Sequence, residues 1–190
     1  MASRGLRIGK VLPLAAGVAL GGNAYCQNHD HHHHHHAHHN MTMSRDGMVM
    51  HANDNTLPKD CEEVGEAQSF EVRVGTKYAE SGYTFGYDRY DFKTGPCAKI
   101  TVTFINEDAI RHQWMVHGLP KYLYPQGMFH MEANGGKSVT GTFIVPSDDA
   151  TYLVHCDMAH HMEKGLKAQL VVGRGNGVLP SIPTISGGRW

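Results

Sequence analysis

The stretch VHCDMAHHMEKGL, residues 154–166, concentrates one cysteine, three histidines and two methionines. Thiolate, imidazole and thioether are the donors that transition metals select, and two imidazoles with one thiolate form a blue-copper electron-transfer site. Cys156 would supply the thiolate, and His160 or His161 one imidazole. The second imidazole would come from His112, which follows an earlier run of alternating apolar residues. The residue types therefore predict one metal site assembled from two distant segments.

The segments around these residues have the alternating pattern of short β-strands. Six runs rich in β-branched residues are separated by Gly, Pro, Asn and Asp: SFEVRVGT (69–76), AKITVTFIN (98–106), QWMVHG (113–118), KSVTGTFIVP (137–146), ATYLVHC (150–156) and LKAQLVVG (166–173). This pattern predicts an all-β sandwich or barrel. Residues 121–134 leave room for one short helix. Cys156 would then end one strand, with its neighbouring histidines in the loop that leads to the next.

The first 24 residues have the organisation of an export signal. Arg4, Arg7 and Lys10 precede a short apolar run at 11–20, and small residues around Ala24 suit cleavage by a signal peptidase. Because about 20 apolar residues are needed to span a bilayer, we expect no membrane insertion after cleavage and a periplasmic location. The net charge of -1 indicates no nucleic-acid partner.

Residues 25–58 are predicted to be a disordered His/Met-rich metal-binding segment, residues 59–173 a folded domain, and residues 174–190 an extended tail. Imidazole suits Cu(II) and thioether suits Cu(I), so additional, weaker copper is expected on the segment. Its donors are His31, His32, His33, His34, His35, His36, Met41, Met43, Met48 and Met50. The hexahistidine run is interpreted as native rather than as an affinity tag, because it lies inside the chain behind an export signal.

Two further groups stand out within the predicted domain. Met128, His130 and Met131 are candidates for a secondary Cu(I) site, with core packing as the alternative. Cys61 and Cys97 flank the first predicted strands and are a candidate disulfide, since export places the chain in an oxidising compartment.

FINEDAIRHQWMVHG (104–118) together with HCDMAHHMEKGLKAQLVV (155–172) resembles the cupredoxins. The second stretch is most similar to the copper motif in the C-terminal cupredoxin domain of multicopper oxidases. The resemblance covers about residues 70–173. It implies a single cupredoxin Greek-key β-sandwich holding one type 1 copper that alternates between Cu(II) and Cu(I). It also implies that His112, Cys156 and His161 are the ligands, with His160 ranked second because it is one residue short of the family spacing.

The same motif implies an unusual axial position. Leu166 falls where an axial methionine usually stands and cannot coordinate, which leaves Met162 or Met158 as alternative axial donors. Loss of the thioether is expected to favour Cu(I) and raise the reduction potential.

Departures from the oxidase pattern argue against a trinuclear cluster. Met115 and Asp157 stand where that pattern has histidines, so only His117 and His155 remain of the cluster ligands on this side. Oxygen reduction at such a cluster is not expected, and the chain is interpreted as a binding protein rather than an enzyme, with Cu(I) oxidation as the remaining enzymatic option. Zinc competes with copper for a His/Cys set, and a catalytic Cys–His pair is a weaker competitor because the sequence suggests no third residue to orient it.

The chain also resembles the His-rich periplasmic cupredoxins called CopI, which carry a similar N-terminal extension. That resemblance implies a role in copper tolerance through copper capture, buffering or Cu(I) oxidation. The implied partners are copper ions and a redox protein or a copper-export system. The rival interpretation is a soluble one-electron carrier between redox partners.

Overall fold

A computed structural model describes residues 40–184 of the 190-residue chain. The predicted export signal, the hexahistidine run and the last six residues lie outside this range. The described strands are β1 (Met41–Met43), β2 (Gly47–Met50), β3 (Ala67–Gly75), β4 (Gly86–Tyr87), β5 (Asp91–Thr94), β6 (Lys99–Asn106), β7 (His112–His117), β8 (Met128–Ala133), β9 (Ser138–Ile144), β10 (Ala150–His155) and β11 (Lys167–Val172). Two short 3-10 turns span Thr76–Tyr78 and Pro125–Gly127.

The strands form two sheets. One has seven strands in the order β1-β2-β8-β7-β10-β11-β5, and the other has four in the order β4-β3-β6-β9. Pairing is antiparallel except between β3 and β6 and between β5 and β11. Each of the six runs singled out in the sequence is a strand, and the predicted all-β, cupredoxin-like sandwich is confirmed.

The core between the sheets follows from the alternation of side chains along each strand. In β6 every second residue is buried, beginning with Ile100, as expected for a strand with one face on the core. Trp114 of β7 is fully buried, and its ring centroid lies 5.5 Å from that of Phe92 and 6.3 Å from that of Phe143. Because Phe143 belongs to the four-stranded sheet, its contact with Trp114 joins the two layers.

Two local predictions differ from the structure. Of the segment predicted to be disordered, 25–58, the described residues 40–58 contain the β1–β2 hairpin, and β2 pairs with β8 from Gly47↔Ala133 to Met50↔His130. The short helix allowed at 121–134 is a 3-10 turn followed by β8. In both cases pairing with a neighbouring strand decides the conformation, and local propensity is overridden by this tertiary context.

The disulfide and the tail complete the described part. Cys61 and Cys97 are joined in a disulfide bond. The described portion of the tail, residues 174–184, packs on the domain: the backbone N–H of Leu179 donates to the Gln169 side chain, and Ile182 is fully buried. Within residues 40–184, no helix is long and apolar enough to cross a membrane.

Candidate metal centre

Three potential ligands from two distant segments converge at the β7–β10 pair. His112 is the first residue of β7, and Cys156 directly follows β10. Because β7 and β10 are antiparallel neighbours, the start of one lies beside the end of the other. His161 returns to the same place from the loop after β10. The ligand atoms of His112, Cys156 and His161 all lie within 4.8 Å of one another.

The ring of His112 is held in one orientation by Asp108. His112 Nε2 lies 2.9 Å from Asp108 Oδ2, and the ring is fully buried. Burial raises the pKa of Asp108, but hydrogen bonds from Thr76 and His112 outweigh it, so the pKa is lowered overall. The carboxylate is therefore ionised and can only accept, which makes Nε2 the protonated nitrogen. The other nitrogen, Nδ1, is buried without a hydrogen-bond partner and presents its lone pair to the site.

The Cys156 thiol is buried but has donors aimed at its sulfur. Burial raises its pKa to about 11, while hydrogen bonds from the backbone N–H groups of Met158 and Gln113 act in the opposite direction. Its sulfur lies 3.6 Å from Nδ1 of His161. A thiol in this setting stays protonated until a cation replaces the proton, and the two backbone donors then stabilise the thiolate.

The loop after β10 is folded so that His161, rather than His160, faces the site. The backbone N–H of His161 donates to the Met158 carbonyl, and that of Leu166 donates to the His161 carbonyl. His160 has a positive φ of 65° and is exposed. Gly165 closes the loop at φ 116°, where a Cβ atom would lie 2.2 Å from the Phe85 carbonyl oxygen. The residue types alone left open whether His160 or His161 belongs to the candidate site, and the structure favours His161.

The predicted axial position is apolar. Leu166 is fully buried, and its carbonyl accepts from the backbone N–H of Cys156, which fixes it beside the thiol. Met162 lines a surface cavity together with Tyr83 and Ser181. Met158 is partly buried against the core and contributes its backbone N–H to the Cys156 sulfur.

Phe85 packs against the rings of both histidines. Its ring centroid lies 4.9 Å from that of His112 and 4.7 Å from that of His161. Burial lowers the pKa of His112 against the opposing effect of Asp108, and burial and His112 together lower the pKa of His161. Both imidazoles are therefore biased toward the neutral form that a metal ion requires.

The residues proposed for secondary binding are distributed differently from the sequence prediction. Met131 is fully buried on the core face of β8, where it pairs with Trp114 of β7. Met128 and His130 project from the other face of β8. Met41 and Met43 are exposed on β1, where they pair with Met50 and Met48 of β2. The hexahistidine run lies outside the described residues.

Three supporting residues were not singled out from the sequence. Asp108 lies four residues before His112, a spacing that could have suggested a partner, and Phe85 comes from a loop that carries no comparable signal. Gln113 accepts a hydrogen bond from the backbone N–H of Asp157 through Oε1, at 3.0 Å, and donates to Glu132 at 2.9 Å. It therefore holds the start of the ligand loop against β7 and β8.

No family model matches the chain, and no curated protein matches it. Similar solved structures include a multicopper oxidase, mgLAC, with a TM-score of 0.46 and 17% identity over 60% of this chain and 41% of the oxidase. Auracyanin B has a TM-score of 0.45 and 18% identity over 60% of this chain and 95% of its own. Auracyanin A, a blue copper protein from the bacterium Chloroflexus aurantiacus, has a TM-score of 0.43 and 21% identity over 55% of this chain and 99% of its own. The chain thus spans about two fifths of the oxidase that it matches.

Proposed function

We propose that this chain is a cupredoxin that binds one copper ion through His112 Nδ1, the Cys156 sulfur and His161. The observation that supports this most directly is the buried Nδ1 of His112, which has no hydrogen-bond partner while Nε2 is bound to Asp108. Buried polar atoms are nearly always satisfied, and a cation between these three ligand atoms would satisfy this one. Copper in such a donor set supplies one-electron redox chemistry.

The chemistry of the fourth position favours copper over zinc. A structural zinc ion usually takes four protein ligands in a tetrahedron. Here the fully buried Leu166 occupies the predicted axial position and has no donor atom. Two imidazoles and one thiolate with a weak or missing fourth ligand are the type 1 copper set.

The surrounding residues perform three separate tasks. Asp108 fixes the tautomer of His112, and the backbone N–H groups of Gln113 and Met158 stabilise negative charge on the Cys156 sulfur. Phe85 packs on both imidazole rings and limits access of water. These contacts pre-organise the ligands, so that little rearrangement accompanies a change of charge at the site.

Metal loading with an absorption spectrum tests this assignment. The copper-loaded protein is expected to show an intense thiolate-to-copper charge-transfer band in the visible, and Cys156→Ser is expected to remove it. His112→Ala and His161→Ala should each abolish the site, whereas the matched variant His160→Ala should leave the band largely intact. A band that survives Cys156→Ser, or that depends on His160 instead of His161, would overturn the ligand assignment.

For the wider role we propose copper tolerance in the periplasm, through copper capture, buffering or Cu(I) oxidation. The support is the hexahistidine run and the methionines beyond it, which together offer donors for both oxidation states of copper. The alternative is a soluble electron carrier, which needs an apolar docking patch near the ligand histidine. The ligand loop instead exposes Asp157, His160, Glu163 and Lys164. The partners proposed are copper ions and a redox protein or copper-export system.

Deleting the gene in its host separates these two roles. The tolerance role predicts poor growth in excess copper, restored by the wild-type gene. Restoration should be weaker with Cys156→Ser, and with a variant in which the six histidines are replaced by glutamine. Normal growth in excess copper together with a respiratory defect would favour the electron carrier and contradict the tolerance role.

A further inference from the structure

The seven-stranded sheet carries a second group of histidines and methionines on the face that points away from the core. Along β7, Trp114 and Val116 are fully buried in the core, so Met115 and His117 project from the opposite face of the sheet. We call this the outer face. His155 also projects from the outer face, because it pairs directly with Met115, whereas its neighbour Val154 belongs to the core.

The strand register places three of these residues in one row. Met115 of β7 pairs with His130 of β8 on one side and with His155 of β10 on the other. Directly paired residues point to the same face, with their Cβ atoms about 5 Å apart. Met115 therefore stands between His130 and His155 in this row. Met128, which pairs with His117, adds another thioether in the adjacent row.

The two histidines at the centre of this group already face each other through ring nitrogens. Nδ1 of His117 lies 3.3 Å from Nε2 of His155. An ion at about 2.0 Å from both nitrogens, the usual distance for imidazole ligation, would subtend an angle of roughly 110° between them, close to tetrahedral. The separation thus suits a shared ion as well as a hydrogen bond.

The unpartnered buried nitrogens of this row support a metal site through His130, because the unpartnered nitrogen of His155 is Nδ1 whereas the one facing His117 is Nε2. His155 is 6% exposed and its Nδ1 has no hydrogen-bond partner, and His130 is 8% exposed and its Nε2 has none. A sheet face that served only for packing would not be expected to bury the unpartnered Nε2 of His130 in the row of Met115. His117 is exposed, which gives solvent access to the group.

We propose that His117, His155 and Met115 form a second metal site, selective for Cu(I), with His130 as a neighbouring donor. Imidazole is a ligand for several metals, but a thioether is a soft donor that selects Cu(I) over zinc. This site shares no ligand with the His112–Cys156–His161 site. Consecutive strand residues point to opposite faces, and His112 lies on the core face with Trp114 and Val116.

Anaerobic titration with Cu(I) against a chromophoric Cu(I) chelator tests the proposal on the full chain. A Cys156→Ser background removes the first site, so failure of the proposed type 1 function and failure of this proposal give different results. In that background, His117→Gln is expected to reduce the tightly bound Cu(I) by about one equivalent, whereas the matched variant His160→Gln should bind as much as Cys156→Ser alone. Because His117 is exposed, its replacement should not disturb folding, and near-ultraviolet circular dichroism checks this.

A second variant tests the thioether. Met115→Leu conserves volume and should weaken that Cu(I) equivalent at least tenfold while leaving the fold intact. Because Cu(I) is diamagnetic, side-chain nitrogen NMR should also show its addition shifting His117 Nδ1 and His155 Nε2. The proposal is overturned if His117→Gln retains the full Cu(I) complement, or if Met115→Leu has no effect. It is also overturned if Zn(II) occupies the site more tightly than Cu(I).

Discussion

At the residue scale, one carboxylate determines which nitrogen of His112 faces the proposed copper site. A neutral imidazole has one donor nitrogen and one acceptor nitrogen, and the partner of the donor selects which is which. Asp108 accepts from Nε2 at 2.9 Å and is itself held by the backbone N–H and the hydroxyl of Thr76. Asp108 is therefore a positioning residue for the ligand, and it also ties β7 to the 3-10 turn after β3.

Asp108→Ala should weaken copper binding without eliminating it. Removing the partner of a metal-ligating histidine typically costs 10–100-fold in metal affinity, and we expect a loss in that range. The neighbouring carboxylate Glu107 is a matched control, because it bonds to Arg73, Lys77 and Tyr78 rather than to His112. Chelator competition should find near wild-type affinity for Glu107→Gln. Equal losses in the two variants would show a general structural effect.

Leu166 determines the polarity of the predicted axial position. Because it is fully buried beside Cys156, a thioether introduced there would reach the site without water. Leu166→Met is expected to lower the Cu(II)/Cu(I) potential, since an added axial donor stabilises Cu(II). The same change at Leu170, a fully buried residue of β11, should leave the potential unchanged in a spectroelectrochemical titration. An unchanged potential in Leu166→Met would mean that residue 166 does not occupy the axial position of the copper site.

At the element scale, the β1–β2 hairpin depends on one glycine. Gly47 has φ 152°, and a Cβ atom there would lie 1.9 Å from the carbonyl oxygen of Glu132 in β8. Backbone at that distance cannot move aside cheaply, so Gly47 allows β2 to approach β8. The hairpin in turn adds two strands to the edge of the sheet and places Met50 beside His130, its paired residue in β8.

Gly47→Ala should therefore destabilise the fold more than an alanine at a glycine with similar φ but open space. Gly177 is the matched control, with φ 135° and no atom within 4 Å of the position that a Cβ would take. A substitution incompatible with the native backbone costs more than about 1 kcal/mol, and the collision with Glu132 adds to that at Gly47. Urea unfolding of both variants measures the difference. Similar midpoints would indicate that the hairpin contributes little.

The strands were predictable where burial is one-sided and the alternation is regular. β6 has apolar residues at every second position, and its pattern alone indicates a strand. In β8 the outward-facing Met128 is as apolar as the core-facing Met131, so the alternation between the two faces is hidden. The Asp46–Gly47 pair was a hairpin signal, but the flanking methionines resembled a flexible metal-binding segment, and only pairing with β8 reveals the strand.

The site was predictable in its ligand types and less so in its surroundings. Cys156 and His112 are predicted as ligands from residue type and order along the chain, and the structure brings both close to His161. The choice between His160 and His161 rested on family spacing, because one residue of shift in a loop reverses which side chain faces inward. Phe85 could not be found at all, since its contact with both imidazoles depends on the path of the loop before β4.

At the scale of the whole molecule, the described cysteines have two distinct environments. Cys61 and Cys97 form the disulfide, whereas Cys156 is free and fully buried. Thiol–disulfide exchange requires access to an ionised thiol, so burial protects Cys156 from the oxidation that joins the other two. The same burial determines how the site responds to pH.

Copper binding should release a proton over the neutral pH range. Burial raises the pKa of Cys156 to about 11, and burial lowers the pKa of His112 and of His161. The empty site near pH 8 therefore holds a protonated thiol and two neutral imidazoles, so only the thiol must lose its proton. The apparent affinity should rise about tenfold per pH unit, with about one proton released per copper, and it should rise more steeply at lower pH, where protons also compete for the imidazoles.

Calorimetry in two buffers with different ionisation enthalpies counts the protons released. At pH 8 the first equivalent of copper bound by the wild-type chain should release about one proton, the one carried by the Cys156 thiol. A first equivalent that binds without proton release, or an affinity that does not change between pH 7 and pH 8, would mean that the thiol is already ionised in the empty site. The backbone donors from Gln113 and Met158 would then outweigh the burial of Cys156.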